Sequence, residues 1–137
     1  MKKILILVCI SVLSFGFMSC GKEGSGSSDN YALDLFILGM PTCDPGEGRE
    51  FSVKLIKNGK EVDPGDVTIS TFKDSTVGNL RIWNEAGTVD YQGTSITKKY
   101  SEVTGCKVAA LSGSGEFGLS ATYKGITDKV TLTLSNN

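Results

Sequence analysis

The sequence predicts an all-β fold, an antiparallel β-sandwich of about seven to nine short strands, on three observations. From Tyr31 onward apolar residues recur at every second position, and no segment repeats persuasively at the helical period. Gly, Pro and Asn-Gly turn signals separate these runs at short intervals. The chain then closes on two alternating runs joined by Lys124-Gly125, the pattern of a hairpin. Residues 31–137, roughly 107 in number, suffice for one hydrophobic core and not for two.

In chain order, Tyr31, Leu33, Leu35 and Ile37 share one face of a first strand. Phe51, Val53 and Leu55 alternate with Glu50, Ser52 and Lys54, as in a half-buried strand. Asn58-Gly59 suits a tight turn at positive φ, and Asp63-Pro64-Gly65-Asp66 forms the next turn. Val67, Ile69 and Thr71 then oppose Thr68, Ser70 and Phe72. Residues 80–84, 88–92 and 95–100 read as three more strands, punctuated by Gly78, Gly87 and Gly93. Residues 105–111 are small and apolar enough to be buried, and Gly113-Ser114-Gly115 turns the chain. Phe117, Leu119, Ala121 and Tyr123 form one arm of the last hairpin. Ile126, Val130, Leu132 and Leu134 form the other, with Thr and Lys facing water.

Before this domain, Lys2 and Lys3 precede an apolar run over residues 4–18, and Ser19-Cys20-Gly21 follows. A basic start, an apolar stretch and a small residue make a secretory signal peptide. A transmembrane helix needs about 20 apolar residues. This run has 15, interrupted by Ser11, Ser14 and Gly16, and a buried core helix would have no cap. Cysteine directly after the small residue resembles the lipobox of bacterial lipoproteins. That resemblance implies cleavage after residue 19 and lipidation of Cys20 with a diacylglycerol thioether and an acylated amine, palmitate being the expected acyl group. Gly21 replaces the Asp that retains some lipoproteins at the inner membrane. The implied address is therefore a lipid anchor in the cell envelope, at the outer membrane, on its periplasmic or its surface side. Residues 21–30 offer no apolar side chain and read as a flexible tether.

Of 14 Lys and Arg, Lys2 and Lys3 leave with the signal, so 12 face 15 Asp and Glu, a net charge of −3. Signs are interspersed and no basic stripe exists, which excludes nucleic acid as the expected partner. Beyond Cys20 the exported chain has Cys43 and Cys106. A disulfide between them would close a loop worth roughly 4 kcal/mol in the chain-entropy model. The alternative is two free thiols, with Cys106 serving as a small core residue in phase with Val108 and Ala110. The chain has no histidine and no closely spaced cysteine pair, so no metal site or cofactor is expected. Ser-His and Cys-His nucleophile pairs are absent for the same reason. Asp63 with Asp66 and Asp44 with Glu47 flank Pro-Gly turns, where acids are ordinary turn formers, and no calcium loop accompanies them. The expectation is a protein without enzymatic activity.

Trp83 has two readings. If Leu80 and Ile82 face the core, Arg81 and Trp83 face out. Trp83 near Tyr91 or Tyr100 would then be a platform for a sugar ring or an anchor for a protein. Alternatively Trp83 is the main core aromatic and a bulge breaks the pleat. Asp74-Ser75-Thr76 resembles an O-glycosylation acceptor of exported bacterial proteins, which would make Ser75 the acceptor on an exposed loop.

The stretch Gly115-Glu116-Phe117 through Leu134, centred on Ser120-Ala121-Thr122-Tyr123-Lys124-Gly125, resembles the closing hairpin of bacterial immunoglobulin-like (Big) domains, group 2. Gly48-Arg49-Glu50-Phe51-Ser52-Val53-Lys54-Leu55 is similar to the second strand of that family. Val67-Thr68-Ile69-Ser70 is similar to the third, with Ile69 where the family usually has Trp. Residues 76–104 depart from the pattern and look expanded. The resemblance implies an Ig-like sandwich used for spacing, adhesion or display. The expected function is thus a non-catalytic envelope lipoprotein acting in adhesion, display or assembly, with a protein or polysaccharide partner. The alternative is a carbohydrate-binding accessory lipoprotein using Trp83, Arg81, Tyr91 and Tyr100.

Overall fold

The computed structural model describes residues 29–135, so the signal segment, Cys20 and most of the expected tether lie outside the described residues. Eleven strands and one helical turn follow one another. They are β1 (Tyr31–Ile37), β2 (Thr42–Cys43), β3 (Arg49–Lys57), β4 (Lys60–Val62), β5 (Thr68–Lys73), β6 (Leu80–Trp83) and β7 (Asp90–Gly93). After them come β8 (Thr97–Lys99), α1 (Tyr100–Val103), β9 (Lys107–Ala110), β10 (Gly115–Tyr123) and β11 (Ile126–Leu134). One sheet has the order β1-β3-β9-β6-β7, with β4 added to β3, and the other β2-β11-β10-β5-β8. All pairings are antiparallel except β2 with β11. The fold is the all-β sandwich that the alternating pattern predicts, with more strands than the seven to nine expected.

Period-two patterning places the core. Leu35, Phe51, Val53, Leu55, Leu80, Ile82 and Val108 from the first sheet meet Ile69, Phe117, Leu119, Ala121, Leu132 and Leu134 from the second. Among the described residues no polar or charged side chain is buried. Among the described residues the buried cluster runs from Leu35 to Leu134. On β11 the pattern skips position 128, where an Asp stands in the inward phase. Its carboxylate accepts the Leu35 N–H at 2.8 Å. It thereby caps the free edge of β1 where the two sheets meet, which leaves one fewer backbone donor for a foreign strand.

Two strands were not predicted. β2 is only two residues long, too short for periodicity, and exists because Thr42 and Cys43 lie beside Thr133 and Leu134. β4 follows the Asn58-Gly59 turn (φ 51° and 83°), which returns the chain onto β3. A third difference concerns residues 95–100. The strand stops at Lys99, and Tyr100 begins α1, burying Tyr100 and Val103 at helical spacing. The Glu102 carboxylate accepts the Lys99 N–H at 3.1 Å, and the Thr104 hydroxyl donates to the Tyr100 carbonyl at 2.8 Å. These local bonds offer the backbone a helical alternative to a ladder.

Candidate functional site

Along β6 the burial pattern is the one expected of a regular pleat: Leu80 and Ile82 are fully buried, while Arg81 and Trp83 stand on the outer face. Trp83 is half-buried there and is not a core residue. Its indole reaches past Lys107 on β9 to the residue before β3, where Gly48 makes room for it: a Cβ at Gly48 would lie 2.5 Å from Trp83 Cη2. The Arg81 guanidinium lies 4.7 Å from the indole centroid and is fixed by two bonds to Asp90, Nε–Oδ1 at 2.9 Å and Nη2–Oδ2 at 3.0 Å. Ala109, opposite Arg81 in the register, is fully buried although it faces outward.

The aromatic platform does not assemble. Tyr91 pairs with Ile82, so it shares the inner face and packs against the core edge, with Lys98 Nζ 4.2 Å from its ring centroid. Tyr100 is buried on α1, its ring 6.5 Å from that of Phe51. Trp83 therefore stands without either tyrosine, with Arg81 against its ring. The Arg81 bonds hold the Asp90 carboxyl below the usual carboxylate range. A depressed carboxyl contributes stability above its ordinary pKa, near 3.9, and loses it as pH falls through the lowered value. Asp90→Asn is therefore expected to unfold at lower urea than the parent at pH 7, with the two midpoints converging in strong acid.

The two remaining cysteines are both buried and both free, which corrects the expected disulfide. Cys43 lies on β2 at the edge of the second sheet, whereas Cys106 precedes β9 inside the first, its carbonyl accepting the Phe51 N–H. Burial pushes both thiols up, at Cys43 against the opposing charge of Arg49. A buried thiol held in its protonated form is a poor nucleophile. Both are expected to resist alkylation by iodoacetamide at pH 8 in the folded protein and to react at once in denaturant, which mass spectrometry would count.

The members of the two acid pairs each have their own partners, and Asp44 and Glu47 share one cleft with Cys43 and Arg49. Asp63 Oδ1 accepts the Gly65 N–H of its own turn at 3.0 Å, and Asp66 faces Lys99 at 3.6 Å. Glu47 bonds Asp44 N–H and Arg49, and Asp44 accepts from Ser135 at 2.9 Å. Among the described residues no group of three or more His, Cys, Asp or Glu side chains is placed to hold a metal. Glu61 and Asp63 line a groove of about 400 Å³ between α1 and β3, at Val53, where β3 has passed β9 and not yet reached β4. Ser75 is exposed in its loop, whose neighbours are tied down: Asp74 accepts the Glu116 N–H at 2.9 Å and Thr76 donates to the Ser114 carbonyl at 2.5 Å.

What the sequence reading missed is the apex after β1. Leu38 and Met40 are the large apolar residues that stand exposed among those described, at 47% and 66%. An apolar pair in water needs a reason to be held there, and Arg49 supplies the holding. Its Nε donates to the Met40 carbonyl at 2.9 Å, Nη2 to the Thr42 carbonyl at 2.6 Å and Nη1 to Glu47 Oε1 at 2.7 Å. Gly39, at φ 101°, lets the chain turn over the Arg49 stem, where a Cβ at Gly39 would lie 3.7 Å from Arg49 Cδ. Leu38 N–H bonds Glu50 and Thr133 N–H bonds the Pro41 carbonyl, which anchor both ends of the loop. The Asp44 N–H and the Arg49 guanidinium together hold the Glu47 carboxyl below its usual range. The available signal was Leu38-Gly39-Met40-Pro41, an apolar run continuing past the end of its strand.

A scan of family models, a search of curated proteins and a search of solved structures found no match to this chain. No helix among the described residues is long and apolar enough to cross a membrane.

Proposed function

We propose that this protein is a lipid-anchored envelope protein whose sandwich, of the bacterial Ig-like group 2 kind, is a non-catalytic domain for adhesion, display or assembly. The observation that carries the binding role is the Arg49-latched apex, which presents Leu38 and Met40 to solvent in a fixed conformation. Exposed apolar residues on a pre-ordered loop lose little entropy when a partner covers them. The anchor rests on the order of the N-terminal segment: two lysines, an apolar run and Cys20 after a small residue. A lipid anchor in the chain together with an exposed apolar apex on the domain suits a module that holds a protein partner at the envelope.

Cells expressing the full chain are expected to incorporate labelled palmitate into the protein and retain it in the membrane fraction. Cys20→Ala should remove the label and release the chain from that fraction. With a photoreactive side chain at position 40, a discrete crosslinked adduct is expected on cells and should vanish on Leu38→Asp. A labelled, membrane-bound protein that gives no adduct would overturn the role of the apex.

A further inference from the structure

We propose that the groove at Val53 binds a short, extended, basic peptide segment, whose backbone supplies a hydrogen-bonded rung that the first sheet lacks. Backbone N–H and C=O groups along an antiparallel strand point alternately to its two neighbours. On β3, Glu50 points toward β1, its carbonyl accepting the Leu38 N–H at 2.8 Å. Leu35, level with Val53, sends its own N–H the other way, to Asp128 at 2.8 Å. The groups of Phe51, Val53 and Leu55 therefore point to the opposite edge of β3. There the Phe51 N–H donates to the Cys106 carbonyl at 3.4 Å, and Leu55 pairs with Val62. Val53 lies between them, 4% exposed, and among the described residues its N–H and C=O have no partner. Buried backbone groups are almost always paired, so this donor and acceptor call for an outside partner. One residue of an extended chain offers the matching acceptor and donor at the same spacing.

The length and charge of the gap narrow the occupant. β4 ends at Val62, level with Leu55, and β9 begins at Lys107, level with Glu50. Between the Cys106 carbonyl and Val62, Ser52 to Lys54 have no strand beside them, about 10 Å at ~3.4 Å per residue. A volume of about 400 Å³ is that of a small-ligand site. The groove is preformed: Ser101 N–H bonds the Gly65 carbonyl at 3.1 Å and Tyr100 N–H the Val67 carbonyl at 2.8 Å, which pins α1 to the turn before β5. Its charge is negative. Glu61 has no ionic partner among the described residues, and Asp63 uses one oxygen on the Gly65 N–H. Lys54, the cation in the lining, is turned toward β1, its Nζ 5.8 Å from the Phe36 ring centroid. A segment continuing the direction of β4 puts its residue opposite Lys54 on the outer face, in line with Glu61. A lysine there brings its ammonium to Glu61 and Asp63. A small residue suits the central position, whose side chain faces the core as that of Val53 does.

The test uses the full chain in detergent micelles, isotope-labelled for amide NMR, and the acetylated, amidated tripeptide Lys-Ala-Lys. The Val53 amide proton signal is expected to move downfield on titration and to saturate. Glu-Ala-Glu and butylamine, which lack the charge or the backbone, should leave it in place. A depsipeptide with lactate for the central alanine loses the N–H that meets the Val53 carbonyl, and should bind roughly fivefold more weakly. The Glu61→Gln, Asp63→Asn variant should lose affinity roughly tenfold, at about threefold per carboxylate. Asn keeps the acceptor for the Gly65 N–H, so the turn stands. No shift at Val53, an equal shift with butylamine, equal binding of the depsipeptide, or unchanged affinity in the double variant would overturn the inference. None of these readouts involves Leu38, Met40 or Cys20, so the outcome is independent of the crosslinking and palmitate experiments.

Discussion

Truncation of Phe117 to alanine is expected to lower the unfolding free energy by about 3–5 kcal/mol, a large part of what a domain of this size has. The ring is fully buried in the middle of the core, on the strand flanked by both β11 and β5. Its removal leaves a cavity that strands hydrogen-bonded on both sides cannot collapse into. Urea unfolding followed by circular dichroism would measure the loss. Phe72, cross-strand from Gly118, serves as the contrast. It is half-exposed on the outer face, with Lys129 Nζ 5.6 Å from its centroid, and Phe72→Ala should cost less than half as much. Equal losses at the two positions would mean that the core is not where the burial pattern places it.

Arg49→Ala should have the next largest effect, about 1–3 kcal/mol, because three charge-assisted bonds to Met40, Thr42 and Glu47 go at once. The loss should be local in its visible consequences. Hydrogen exchange should speed up at Leu38 and Thr133, whose N–H groups anchor the apex, and remain slow along β10. Arg49→Lys should recover little, since an ammonium cannot reach three acceptors in the fork that the guanidinium spans. If exchange at Leu38 and Thr133 is unchanged in Arg49→Ala, the apex is held by something other than the latch.

The strands that alternate cleanly were legible because one face of each meets the other sheet. Phe51-Val53-Leu55 and Phe117-Leu119-Ala121 fall on the buried side at every step. The two hairpin turns were legible because Asn-Gly and Lys-Gly tolerate positive φ. Of the two readings of Trp83 the regular pleat of β6 decides for the outer face, opposite Leu80 and Ile82, and against the core aromatic. The short pieces were not: β2 has two residues and no period, and α1 starts where a strand pattern still runs. The site was less legible than the fold. Tyr91 and Tyr100 were grouped with Trp83 by proximity in sequence, yet register turns Tyr91 inward and a helical turn buries Tyr100. The disulfide rested on the two cysteines available, and the fold buries each as a free thiol, Cys43 on β2 and Cys106 just before β9.

By itself the sequence determined the fold class, the alternating faces and the turns, because each depends on neighbours within a few residues. Tertiary structure alone decided three other things. It gave Trp83 a floor at Gly48, 35 positions away in the chain. It set Asp128 as a cap on Leu35 across the sandwich edge. It also brought the Lys57 and Lys124 turns together over Tyr31. Each of these joins residues whose separation along the chain carries no periodic signal. Only the pairing of whole strands and the stacking of the two sheets fix which side chains meet.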